Sequence, residues 1–335
     1  MPAILAHDIF GRSALEHLPA EADVSKNALR EAFLLGNQGP DPLFYLPEEI
    51  LTDAYRHLGR TMHHLRPALL ISNLHDAIGM LAAQDEAVGK AYALGFLCHW
   101  LLDSQEHPFI LAQVHEICSA GVEGLDERHE SYVHAEIERD LDEAALYSRT
   151  GHTIKDERPY RSVLKASDQT LAVIDRMYFY LALWTYSLTL DVPVYSRAVR
   201  RYRQAMRLFW SPRQLQSRCV GAFERLVRRS DYSMARAMSH RVRAEKDSDF
   251  ANDAHRVWVD PGTGERRTDG FWDIFEGAED RCSLVMEEFL DPSFDLRAAE
   301  SLTGDRNFSG EVSASDDPLP DEPPSTLRER LSQLT

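Results

Sequence analysis

Cysteine is scarce in this chain of 335 residues, which has only four, at positions 98, 118, 219 and 282. None stand in CxxC spacing, so neither a thiolate metal knuckle nor a disulfide framework is expected. Positive charge is also in deficit. The formal net charge of −17 argues against a general polyanion binder, and no stable nucleic-acid partner is expected. No stretch approaches the roughly 18 uninterrupted apolar residues a spanning helix needs. The opening Met-Pro-Ala-Ile-Leu-Ala-His-Asp has neither the basic start nor the apolar run of a secretory signal. These absences set the expectation of a cytoplasmic chain with no transmembrane segment. Alternating β-branched residues are nearly lacking too, which argues against a sheet protein.

Histidine is what the chain has instead. There are fourteen, ten of them before residue 130, and an eleventh is His134. The segment His99-Trp-Leu-Leu-Asp103-Ser-Gln-Glu-His107-Pro108 sets two histidines and an aspartate four residues apart in an apolar run. On a helix of 3.6 residues per turn, all three project along one slowly drifting stripe. Ala91 and Gly95 continue that stripe upstream and are too small to crowd it. Several buried polar groups on an apolar stripe need a partner, and a cation satisfies them together.

Apolar spacing at three and four residues dominates the chain. It predicts helices near 12–18, 25–35, 47–65, 67–83, 85–106, 128–148, 161–190, 194–209, 212–228, 231–246 and 271–290. Pro108 is expected to stop the fifth of these just after His107. Val257 to Arg266 carries turn signals and is the one plausible hairpin. The expected architecture is all-α and multi-helical. Residues 1–150 form a metal-bearing core, 151–290 a helical extension packed on it, and 291–335 a disordered tail rich in Asp, Glu, Pro and Ser.

Further candidates lie outside the stripe. His7 stands near the start, and Asp41 sits in Leu35-Gly-Asn-Gln-Gly-Pro-Asp41-Pro42, where glycine and proline impose a fixed turn. His63 and His64 end a predicted helix. His134 and Glu138 project together at four-residue spacing. Each of these alone reads as ordinary structure: an ion pair, a core histidine, a turn. Together they are the imidazole and carboxylate donors that zinc prefers, enough for two or three ions. Glu106 falls off the ligand stripe and reads as an outer or surface acid.

The order of these residues resembles the zinc-dependent phospholipase C family, an all-helical group related to the fungal-type single-strand nucleases. The resemblance covers roughly residues 1–150. It rests on His7, the LGxxGPD turn ending at Asp41, Met62-His63, the block Ala91 to Pro108, and the HxxxE pair His134 and Glu138. It implies three zinc ions. One would take Asp41, His63, His99 and Asp103, and a second His107, His134 and Glu138. The third would take His7, Asp103 as a bridge, and the N-terminal amino group. His63 is preferred over His64 because it matches the Met-His pattern. Family members whose signal peptide is cleaved expose the N-terminal ligand that way; here the free group would be that of Met1 or Pro2. The implied activity is hydrolysis of a phospholipid or other phosphate ester, with Asp41 orienting or deprotonating the attacking water. Phe44 and Tyr45 are candidates for an apolar rim.

Two other readings are available. His75-Asp76, with His57 or His63 and Asp103, resembles an HD-type phosphohydrolase, though it leaves His107, His134 and Glu138 unexplained; His7-Asp8 is a second such dipeptide. A non-catalytic helical protein with a structural metal site is the other. The stretch from Arg197 to Arg243, with thirteen arginines and only Glu224 and Asp231 as acids, could meet an anionic surface, or be balanced by acids elsewhere in the chain.

Overall fold

The structure, a computed structural model, describes residues 3–20, 22, 24–46, 57–121, 125–190, 192–210 and 232–319. It is mostly helical. Among the described residues the helices are α1 (Ile4–Ala14), α2 (Asn27–Gly36), α3 (Leu58–His64), α4 (Pro67–Gly79), α5 (Glu86–Ser119), α6 (Glu130–Thr150), α7 (Pro159–Ser162), α8 (Asp168–Tyr186), α9 (Val194–Phe209), α10 (Met234–Ala237), α11 (Phe271–Phe289) and α12 (Leu296–Thr303). The expected hairpin is present: β1 (Trp258–Val259) pairs antiparallel with β2 (Arg266–Arg267), Trp258 opposite Arg267. No helix among the described residues is long and apolar enough to cross a membrane.

Helix α5 organises the rest. Every residue from Ala91 to Ser104 is buried, as befits a helix that is apolar on all sides. Helices α1, α2, α4, α6, α8 and α11 all pack against it. The closest approach is to α2. A Cβ built on Gly95 would lie 2.0 Å from the Phe33 carbonyl oxygen, and one on Gly36 would lie 2.0 Å from that of Tyr92. Gly95 therefore admits the α2 backbone; it does not clear space beside the histidines.

Several expected boundaries move. Pro108 does not end α5, which continues to Ser119. An internal proline costs about 3 kcal/mol. Beyond it Phe109, Ile110, Val114 and Cys118 are buried, and burying each large apolar side chain returns roughly 1.5–3 kcal/mol. The first helix starts at Ile4, not near residue 12, and the 161–190 segment splits into α7 and α8, with Leu164 at φ 56° between them. The expected helix 231–246 shrinks to α10. The chain beyond it runs open along α6, where the Arg241 amide donates to Glu143, a donor that a helical backbone would have used internally. Residues 47–56 and 212–228, expected as helix, lie outside the described residues.

The tail is a further correction. Residues 296–303 form α12, with the Asp295 side chain accepting from the Ala298 amide at 3.0 Å and Gly304 closing the helix at φ 57°. Residues 305–317 then return to the core through long-range hydrogen bonds. Residues 320–335 lie outside the described residues.

Helix α1 has no cap of its own. The fully buried Asp142 on α6 accepts from the Leu5 and Ala6 amides at 3.1 and 2.7 Å and from His240 Nε2 at 2.7 Å. A carboxylate there satisfies orphan donors and complements the helix dipole. Asp142→Ala strands both amides, each costing about 1–3 kcal/mol. The expected loss is at least 2 kcal/mol by denaturant unfolding, and an unchanged midpoint would refute this anchoring.

Candidate metal centre

All eight residues singled out as ligands in the sequence meet on one side of α5. His7 comes from α1, Asp41 from a 3-10 turn (Asp41–Tyr45), and His63 from the end of α3. His99, Asp103 and His107 come from α5, and His134 and Glu138 from α6. Their contacts form a continuous chain. His63 Nε2 lies 2.9 Å from Asp41 Oδ1, and His99 Nε2 lies 3.7 Å from the same oxygen. Asp103 Oδ2 is 3.4 Å from His99 Nε2, while its Oδ1 is 3.0 Å from His7 Nε2 and 3.6 Å from His107 Nδ1. Glu138 Oε1 then meets His107 Nε2 at 3.6 Å and His134 Nε2 at 2.9 Å.

Among the described residues, three groups of donor atoms could each hold a metal ion: His7, Asp41 and His99; His63, His99 and Asp103; and His107, His134 and Glu138. A tetrahedral ion with ligand bonds of 2.0–2.1 Å sets neighbouring ligand atoms roughly 3.3 Å apart. The separations along the chain, from 2.9 to 3.7 Å, bracket that value. His99 Nε2 and Glu138 Oε2 are buried without a hydrogen bond, which a buried polar atom tolerates poorly. The donor set and these two orphaned atoms fit divalent cations. The N-terminal amino group lies outside the described residues.

Hydrogen bonds within their own helices turn the His63 and His107 rings. The His63 Nδ1–H donates to the Gly59 carbonyl at 2.6 Å, one turn earlier on α3, which turns Nε2 toward Asp41. His107 Nδ1 lies 3.2 Å from the Asp103 carbonyl, which directs its Nε2 at Glu138. His64 points elsewhere, with Nδ1 3.9 Å from Glu311. The Asp41 turn depends on Gly39, whose φ is 48° and whose Cβ would fall 2.1 Å from the His99 ring. Three buried phenols, of Tyr92, Tyr178 and Tyr195, approach the Gly39 carbonyl at 3.4, 3.3 and 3.2 Å. Burial raises the pKa of each, so they remain donors.

The electrostatics describe a pocket of carboxylates in want of positive charge. Burial opposes protonation of His7 and His107, but Asp103, joined by Glu138 at His107, overcomes it and raises them to about 9 and about 10. Burial lowers His99 to about 4. Burial also works against ionised Asp103 and Glu138, yet the surrounding imidazoles hold both well below the usual carboxylate range. Of the two readings of Glu106, an outer or a surface acid, burial excludes the second. The residue is 4% exposed, and burial raises it to about 8 among His7, His107, Asp103 and Glu138. A helix buried on every side gives no periodicity by which to see this.

Other candidates separate from the cluster. His75 lies against the Phe289 and Phe294 rings, and neither it nor Asp76 joins a metal-competent group among the described residues. Asp8 pairs with Arg12 at 2.7 Å. Phe44 is 43% exposed with its ring 4.9 Å from His63, whereas Tyr45 stacks on Tyr202 at 4.0 Å. Within the arginine-rich stretch, Arg241 and Arg243 bind Asp140 on α6 at 2.7 and 2.5 Å, and Arg200 binds Asp168 at 2.7 Å. Those three arginines are balanced by acids of the same chain. No protein-family model, curated protein or solved structure matches this chain.

Proposed function

We propose that the chain is a zinc-dependent phosphoric-ester hydrolase with a phospholipase C-like core, acting on a phosphodiester with two or three ions. The observation that carries this reading is the joining of three metal-competent groups through His99, Asp41 and Asp103. Ions sharing ligands suit a phosphate, whose oxygens need neutralising from more than one side. When bound, divalent ions supply Lewis acidity toward the phosphate oxygens and lower the pKa of a nearby water.

The chain's own residues do the rest. Asp103 spaces the groups, with Oδ1 toward His7 and His107 and Oδ2 toward His99. Asp41 presents Oδ1 to His63 and His99, which leaves Oδ2 to take a proton from the attacking water. The Gly39 clasp holds that carboxylate in place, and positioned acid–base groups contribute about 10²–10⁴-fold to rate. Phe44 offers an apolar contact beside His63 for the substrate's organic part.

The test is hydrolysis of phosphatidylcholine, single-stranded DNA and a simple aryl phosphodiester, with and without chelator. Chelator-sensitive cleavage of the lipid is expected, with Asp41→Asn lowering kcat by about 100-fold or more. Cleavage confined to DNA would replace the lipid with a nucleic-acid substrate. No chelator-sensitive cleavage of any of the three would end the enzyme reading.

A further inference from the structure

The acidic segment after α12 reaches the metal centre. Residues 305–313 fold back on themselves: the Ser313 amide donates to the Asp305 carbonyl at 2.8 Å, and Arg306 bridges to Val312. This strap is tied to the elements that carry the ligands. The Phe308 amide donates to the His63 carbonyl at 3.1 Å, and Asn307 Nδ2 donates to the His64 carbonyl at 3.2 Å. From α5, one residue after His99, the Trp100 indole donates to the Arg306 carbonyl at 2.9 Å.

The Phe308 side chain is 1% exposed. Its ring centroid stands 4.9 Å from that of His63, 5.6 Å from that of His99 and 5.9 Å from that of Phe96. The two imidazoles whose Nε2 atoms converge on Asp41 thus share one aromatic wall, while Phe44 flanks only His63. No ring contact joins Phe308 to His107 or His134, which face each other at 5.4 Å.

The anchor lies on the link from α3 to α4, three residues after His63. Arg66 sits at φ 55° before α4, where a side chain other than glycine is strained. Its amide donates to Ser313 Oγ at 3.1 Å. Its guanidinium donates to the Asp317 carbonyl at 2.8 and 2.6 Å and to the Thr185 carbonyl at 3.0 Å. Bonds from a rigid planar fork fix direction as well as distance, and these bonds hold down the far end of the strap.

From this we infer that Phe308 is a positioning residue of the metal centre: the strap, pinned by Arg66, sets the orientation of the His63 and His99 rings and so the affinity of the ions they hold. It leaves the His107, His134 and Glu138 group alone. The inference rests on the proposed metal site. Groups that orient a ligand ring without touching the metal characteristically govern about 10–100-fold in affinity.

The experiment is equilibrium titration of the metal-stripped full-length protein with Co²⁺ and Zn²⁺, reading ions bound per chain, the affinity of each, and the cobalt visible spectrum. Phe308→Ala is expected to weaken the ions at His63 and His99 about 10–100-fold, with their cobalt bands altered and one tighter ion retained. Phe308→Tyr keeps the ring and is expected to restore the affinity. Arg66→Ala, which removes the guanidinium bonds to the Asp317 and Thr185 carbonyls, is expected to reproduce the defect in weaker form. Helical content measured in chelator separates these losses from misfolding, and Phe308→Leu gives a second, less disruptive removal of the ring. Wild-type affinities and spectra in the folded Phe308→Leu protein would overturn the inference while leaving the proposed function standing. Failure of the wild-type chain to take up any metal would overturn both.

Discussion

Asp103→Asn is expected to strip the protein of most of its bound metal. The side chain keeps its shape but loses the charge that faces His7 at 3.0 Å, His99 at 3.4 Å and His107 at 3.6 Å. Loss of an outer hydrogen-bond partner of a metal ligand already costs about 10–100-fold in affinity, and a shared anionic ligand should cost more. An amide also leaves the imidazoles on both sides without their common counter-charge. The consequence extends to stability. A ligand present at 100 times its dissociation constant stabilises the folded state by about 2.7 kcal/mol, so zinc should raise the melting temperature of the wild-type chain well beyond that of the variant, in which the His107, His134 and Glu138 group still keeps its donors. Elemental analysis after dialysis, with melting curves in zinc and in chelator, measures both. A variant with wild-type metal content would mean that Asp103 joins no ion.

Gly95→Ala is expected to destabilise the fold strongly for the addition of a single methyl. In an ordinary helix interior the change would stabilise by about 0.8–1 kcal/mol. Here the new Cβ would lie 2.0 Å from the Phe33 carbonyl oxygen and 2.8 Å from the Asn37 amide nitrogen. Both obstacles are backbone, so no rotamer change relieves them and α2 must move off α5. Overpacking of this kind costs about 1–3 kcal/mol and occasionally more, and two backbones in register place the change at the upper end. The effect should also reach the site, because α2 leads through Asn37 and Gln38 into the Asp41 turn. Denaturant unfolding should show a loss of about 3 kcal/mol, together with weaker metal binding. A gain of the size that helix propensity alone supplies would show that the helices do not cross so closely.

The candidate ligands are legible because helical spacing is a local signal. His99, Asp103 and His107 needed only the four-residue interval, as did His134 and Glu138, and the glycine–proline turn marked Asp41. The all-helical class followed from the three-and-four spacing. What escaped depends on neighbours distant in sequence. Pro108 read as a stop because its cost is local, whereas the burial of Phe109, Ile110 and Val114 that offsets it is tertiary. Gly95 read as clearance for ligands because α2 was not yet beside it. Glu106 reads only as an outer or surface acid because a helix buried over this stretch offers no periodicity to choose between the two. The strap read as disordered because its composition is acidic and polar, and its hydrogen bond to His64 spans 243 residues. The phospholipase C resemblance covers the ligand-bearing half alone, so it carried no information about Phe308.

The meeting of α1 and the strap around one helix has a consequence for how the protein is made. Synthesis supplies His7 before the Phe308 wall, which follows every other described element of the centre. A nascent chain therefore carries all eight donors before the contact that packs two of the imidazoles can form. Native pairings of such long sequence separation form slowly. Completion of the centre, and with it the full affinity for metal, is expected to wait on the docking of Phe308 against rings far earlier in the chain, a step that follows the synthesis of all eight donors.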